Sequence, residues 1–264
     1  MKMMEKRLVE HNNILLSVAI ASNRDQEILI KCIQNIFDRA AEPSRVEVLV
    51  RIDFEAKRSH GWIQDVVMMD GGKHRDRIRV LEGPQRFGYC SCSQFYAEMV
   101  EHSKGEFIMV YNDDIADITQ DFDNQLVPYI GKIVLFRDVA PAGTHDWDFP
   151  IIHRLVYDIT ETMSITSYGN YHWDVFDREA SELVRSLDIS VSHRPTADWG
   201  SAVSLGLNCL NIQDPDYKLN KDDFYENQEG TKEEHFAKHY VSKLVEYVRQ
   251  YPQYKMENRY ESTN

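Results

Sequence analysis

At 264 residues, with 42% hydrophobic and 28% charged side chains, the chain can bury a substantial core and has the make-up of an ordinary globular protein. Its 43 acidic groups outnumber its 30 basic ones, a formal charge of −13, and such a surface repels nucleic acid and anionic membrane, which excludes both as general partners. A phosphate-bearing substrate would need local Arg or Lys, backbone donors or a metal ion to bind against that field.

The opening residues, Met1 to Arg7, lead into mixed polar sequence rather than an apolar signal core. No later segment approaches the roughly 18 apolar residues of a membrane span, so a cytoplasmic protein without a transmembrane segment is expected. Four cysteines, Cys32, Cys90, Cys92 and Cys209, make no disulfide framework in a chain of this length. Cys90-Ser91-Cys92 lacks the second pair that a zinc site needs, and the thiols read as buried or idle.

In chain order, Ile14 to Ala21 reads as a buried strand running into Ser22-Asn23-Arg24-Asp25-Gln26, where Asn23 and Gln26 have capping-box spacing. The helix that follows puts Ile28, Cys32, Ile33, Ile36, Phe37 and Ala40 on one face. Pro43-Ser44 ends it, and Val46 to Asp53 returns as a second strand, completing a βαβ unit with a right-handed crossover. A short helix is expected around Gly61 to Met69, and a short strand at Ile78 to Leu81, closed by Gly83-Pro84. A second long helix starts after Gly88-Tyr89-Cys90-Ser91 and carries Phe95, Met99 and Val100 inward.

Glu106 to Ile115 follows the helix-stop pair Lys104-Gly105 and organises the rest. Its apolar run, Phe107 to Tyr111, reads as a strand buried on both faces in the middle of a parallel sheet. It ends in Asn112-Asp113-Asp114, at the rim where open α/β sheets bind ligands. Adjacent carboxylates there repel one another unless a cation or proton intervenes, so the pattern fits a hard divalent ion; it also fits a plain polar turn.

Beyond it, Ile133 to Phe136 reads as a strand and Pro141 to Trp147 as a loop. Pro150 suits the first turn of a helix with Ile151, Ile152, Leu155, Val156 and Ile159 at helical spacing. Asp174 heads a further helix whose inner face is Val175, Phe176, Ala180, Leu183, Val184 and Leu187, followed by a strand at Ile189 to His193. Gln213 to Glu234 is a solvated acidic loop, and the last helix, Glu233 to Gln250, turns Phe236, Tyr240, Leu244 and Tyr247 or Val248 toward the body.

Taken together, these pieces resemble an inverting glycosyltransferase of the GT-A type, in the large family-two-like group that uses nucleotide-diphosphate sugars. The resemblance runs from about Leu15 to Ile212 and rests on Ala21-Ser22-Asn23-Arg24 after the first strand, Asp53 at the end of the second, and Asn112-Asp113-Asp114 in the place of the DxD motif. It implies an α/β fold with a mostly parallel, Rossmann-like central sheet flanked by helices. Residues 1–264 then form a single catalytic domain: about 14–116 as the donor half, about 117–212 as the acceptor half, and 213–264 as the acidic loop and last helix.

The resemblance further implies Mn2+ or Mg2+ held by Asp114 and His193, and Asp174 as the base that deprotonates a hydroxyl acceptor. Donor contacts fall to Ala21, Asn23, Arg24, Asp53, Arg86, Gly88, Asn112 and Asp113, with a UDP-sugar as the commonest donor. Trp147, Trp173 and Trp199 are the aromatic faces available to the acceptor. The sequence departs from the family pattern at Asn112, where Asp is usual, and at Trp173, where Glu commonly precedes the base. Two rivals stand beside it. One is a binding module that keeps the nucleotide site without transfer. The other is a nucleotidyltransferase of related fold, whose Gly-rich, basic loop after the first strand is missing here.

Overall fold

The computed structural model describes residues 13–22, 26–53, 60–83, 92–113, 118–139, 145–161, 163, 185–189 and 232–254. β1 (Leu16–Ala21), β2 (Val46–Asp53), β3 (Ile78–Gly83) and β4 (Phe107–Asn112) come from apolar runs, and helices separate them. These are α1 (Gln26–Arg39), α2 (His60–Val67) and α3 (Cys92–His102). With β5 (Val134–Val139), β6 (His145–His153) and β7 (Arg185–Ile189) they form a seven-stranded sheet in the order β3-β2-β1-β4-β6-β5-β7.

β1 pairs in parallel with β2 on one side and with β4 on the other, so Ala21, Arg51 and Asn112 stand in one row across three strands. Strands buried on both faces need apolar residues at successive positions, and β1 and β4 supply them. Val18, Ile20, Met109 and Tyr111 belong to the cluster that contains Ile33 and Phe37 of α1, while Ala19 packs with Met99 of α3. β4 lies mid-sheet as expected, but its second neighbour, β6, is antiparallel.

That antiparallel strand corrects the helix expected from Pro150. Ile151 and Ile152 are both fully buried and fall into different clusters, one on each face of the sheet, as successive strand residues must. They pair with Met109 and Ile108 of β4, and the helix, α4 (Arg154–Thr160), begins only at Arg154. Pro150 lies where the β5–β6 register shifts, a break in the ladder that tolerates a missing N–H. Trp147, expected in a loop, is therefore a residue of β6.

A second correction concerns Leu187, which is not on a helix. It sits in β7, paired with Phe136, because Leu187 and Ile189 alternate with polar neighbours at strand period. The expected strand at Ile189 to His193 thus starts earlier, and 190–193 lie outside the described residues.

The last helix, α5 (Lys232–Gln250), packs Val241, Leu244 and Val248 with Leu155 and Val156 of α4. Behind it the Tyr254 carbonyl accepts from the Ile133 N–H at 3.0 Å, fastening the chain to the start of β5. Among the described residues no helix is long and apolar enough to cross a membrane.

Two polar knots hold the amino ends of the central strands. Ser17 Oγ donates to buried Glu47 Oε1 at 2.6 Å and accepts from the Gly105 N–H at 2.7 Å. At the head of β4, Glu106 Oε1 accepts from the Gly131 N–H and lies 3.3 Å from His153 Nε2. Burial raises the Glu106 carboxyl pKa, but the hydrogen bonds from His153 and Gly131 and the charges of His153 and Arg45 outweigh it, leaving it below the ordinary glutamate value.

A depressed carboxylate adds stability above its unfolded pKa and loses it as pH falls through the folded one. Glu106→Gln should therefore be less stable than the wild type in urea at pH 7, and the gap should close as pH falls below about 4.3. A gap that is the same at pH 7 and pH 3 would refute this role for Glu106.

Candidate functional site

From β1 the chain winds outward through β2 and β3, then returns to the other side of β1 as β4, which makes the β1/β4 boundary a topological switch point. At such a point the loops after the two strands diverge and leave a crevice at the carboxyl rim. Ala21 and Ser22 stand on one side of this boundary, Asn112 and Asp113 on the other.

A hydrogen bond between described residues spans this boundary. Ser22 Oγ donates to Asp113 Oδ2 at 2.7 Å, and both residues are only 6% exposed. Ser22 is itself set by β2, because its N–H donates to the Arg51 carbonyl at 2.9 Å. On the other side, the buried Cys32 thiol of α1 donates to the Asn112 carbonyl at 3.4 Å. The Asn112 side chain, by contrast, is exposed. Cys32 is thus buried, as expected, but far from idle.

Near the β2 tip lies Arg51, whose side chain is 1% exposed. Its Nε pairs with Glu98 Oε2 of α3 at 3.2 Å, its Nη1 donates to the Ile52 carbonyl at 2.9 Å, and its guanidinium lies over the Phe95 ring at 4.4 Å from the centroid. Gly83, opposite Asp53 at the end of β3, leaves the room this requires, since a Cβ there would come within 2.9 Å of Arg51 Cζ. Arg51 therefore joins β2 to α3, close against Gly83 of β3. A guanidinium suits the task because it spreads several fixed donors in one plane.

Of the residues singled out from sequence, the fold brings Ala21, Asp53, Asn112 and Asp113 to one rim. Trp147 lies in β6. Asn23, Arg24, Arg86, Gly88, Asp114, Trp173, Asp174, His193 and Trp199 lie outside the described residues. Ser22 and Arg51 were missed. A cation inside the apolar run Val46 to Ile52 was the available signal for Arg51; for Ser22 there was only its place in a small-polar turn.

Among the described residues no group of three or more His, Cys, Asp or Glu could hold a metal ion. What the described rim does offer is oxygen: the Asp113 carboxylate, the Ser22 hydroxyl and the Asn112 amide, with Asp114 next in the chain. Such a donor set suits Mg2+ or Mn2+ and not a thiophilic ion.

No protein-family model and no curated protein matches this sequence. Among solved structures, the chain is similar to the mannosyltransferase PcManGT from Pyrobaculum calidifontis in complex with GDP-Man and Mn2+. The TM-score is 0.56 at 10% identity, over 92% of this chain and 75% of that one. The fold is GT-A. Glucosyl-3-phosphoglycerate synthase from Mycobacterium tuberculosis, in complex with Mn2+, UDP and glucosyl-3-phosphoglycerate, aligns at a TM-score of 0.45 and 14% identity over 76% of this chain and 82% of its own. A 4-diphosphocytidyl-2C-methyl-D-erythritol synthase from Anaerococcus prevotii also aligns at 0.45, with 11% identity over 68% of this chain and 90% of its own. The GT-A assignment stands on the first alignment and the sheet order.

Proposed function

We propose that this GT-A chain is a glycosyltransferase that moves a sugar from a nucleotide-diphosphate donor, with a UDP-sugar as the first choice, to a hydroxyl acceptor with inversion. The observation that carries the reading is the acidic β4 tip, closed onto the β1 tip by the Ser22–Asp113 hydrogen bond at the switch point of a GT-A sheet. The donor would lie along that rim, its ribose and base meeting Asp53, Ala21, Asn23 and Arg24, with Arg86 and Gly88 beside the phosphates. Asn112 and Asp113 would meet the ribose, and Trp147, Trp173 and Trp199 would line the acceptor half.

Asp114 and His193 would hold Mn2+ or Mg2+, which when bound supplies positive charge to the departing diphosphate. Asp174 would take the proton from the acceptor hydroxyl as that oxygen attacks the anomeric carbon, because a neutral hydroxyl is a weak nucleophile near pH 7. The new C–O bond forms on the face opposite the leaving diphosphate, whose bond breaks, and so the anomeric centre inverts.

The test is a panel of nucleotide sugars scored for thermal stabilisation with and without Mn2+, followed by assay for release of sugar and nucleoside diphosphate. One donor should stabilise strongly only with Mn2+ and be turned over. Stabilisation without turnover to any acceptor or to water would leave a binding module. Release of pyrophosphate from a nucleoside triphosphate would make the chain a nucleotidyltransferase instead.

A further inference from the structure

Ser22 has no part in the donor contacts proposed above, yet its hydroxyl bonds the β1 tip to the β4 tip. Its hydroxyl and the Asp113 carboxylate are both buried and lie 2.7 Å apart, joining strands whose residues are 91 positions apart in the chain. A hydroxyl donating to a carboxylate is a charge-assisted bond, stronger than one between neutral groups. Holding one carboxylate oxygen in this way restricts the direction in which the other can point. The Ser22 backbone is itself held, because its N–H donates to the Arg51 carbonyl, and Arg51 is anchored by Glu98 and Phe95. Meanwhile the Cys32 thiol holds the carbonyl of the preceding residue, Asn112.

We propose that Ser22 is a positioning residue of the donor site: its hydroxyl locks Asp113 to the β1 tip and so fixes the orientation of the Asp113 carboxylate. The inference rests on the glycosyltransferase reading for its consequence, but the lock itself is a property of the protein without ligand.

Ser22→Ala and Ser22→Thr separate the two. By amide hydrogen exchange on the ligand-free protein, Ser22→Ala should speed exchange at Tyr111 to Asp113 by about tenfold, and Ser22→Thr should restore it, with Val18 and Met109 unchanged in both. An unchanged tip overturns the lock, and so does acceleration that extends equally to Val18 and Met109, since the serine would then merely support the sheet. By calorimetry with UDP and GDP in the presence of Mn2+, Ser22→Ala should weaken binding about tenfold and Ser22→Thr should recover it. Equal affinity in the alanine variant overturns the positioning role alone. A wild type that binds neither nucleotide overturns the donor reading, and with it the role given to Ser22 there, whatever the exchange rates show.

Discussion

Gly105→Ala is expected to destabilise the fold severely and to lower its urea midpoint far more than an ordinary glycine substitution does. A Cβ at this position would lie 2.5 Å from the Ser17 amide nitrogen, 2.5 Å from Ser17 Oγ and 2.8 Å from the Leu16 carbonyl carbon. Two of these atoms are backbone of β1, which is hydrogen-bonded along both edges, to β2 and to β4, and cannot move aside without breaking one of them. The glycine N–H also donates to Ser17 Oγ, and the next two residues donate to Ile14 and Leu15 carbonyls, so the approach is fixed by several bonds. Relief must come from parting β1 and β4, at a cost of about 3 kcal/mol or more, a large share of the roughly 5–15 kcal/mol that holds a domain together. Urea denaturation should show it. Gly131→Ala is the control: nothing lies within 4 Å of a Cβ there, but φ is +75°, so a loss of only about 1 kcal/mol is expected. Similar midpoints for the two variants would sink the close-approach argument.

Gly105 also marks how far sequence reasoning reached. Beside Lys104 it reads as a helix stop, which α3 ending at His102 bears out, but nothing local says that its missing side chain is required by a strand some ninety residues earlier. β1 and β4 were legible because each is a short apolar run bounded by turn residues, and burial on both faces leaves few other uses for such a run. The pattern failed where one stretch satisfied two periods. Ile151 and Ile152 sit at helical spacing with Leu155 and Val156, and only the ladder to Ile108 and Met109 shows that the first pair is strand and the second helix. Leu187 failed in the same way.

In the site, sequence placed the acidic rim because a strand's carboxyl end follows from its direction. It could not place the Ser22–Asp113 bond, since pairing β1 with β4 depends on the crossover through β2 and β3. Nor could it show that Arg51 points inward to Glu98 and Phe95 and not out to solvent.

Asp114→Ala and Asp174→Asn should both stop sugar transfer, and by different routes. Asp114 is assigned to the cation, so its loss should abolish the Mn2+-dependent part of the thermal shift given by the donor and lower turnover to background. Asp174 is assigned to the acceptor proton, which moves only as the new bond forms. Its amide variant should keep the Mn2+-dependent shift and the donor affinity while turnover falls about 10²–10⁴-fold, the usual worth of a general base. Because the wild-type base must be ionised, turnover should also decline toward acid pH, and the residual activity of Asp174→Asn should lack that decline. The pair is informative because each variant controls for the other: a chain that has merely lost its fold loses binding and turnover together, whereas separate roles require one variant that binds without turning over and one that does neither. An Asp114→Ala protein with an undiminished Mn2+-dependent shift would overturn the cation role proposed for Asp114.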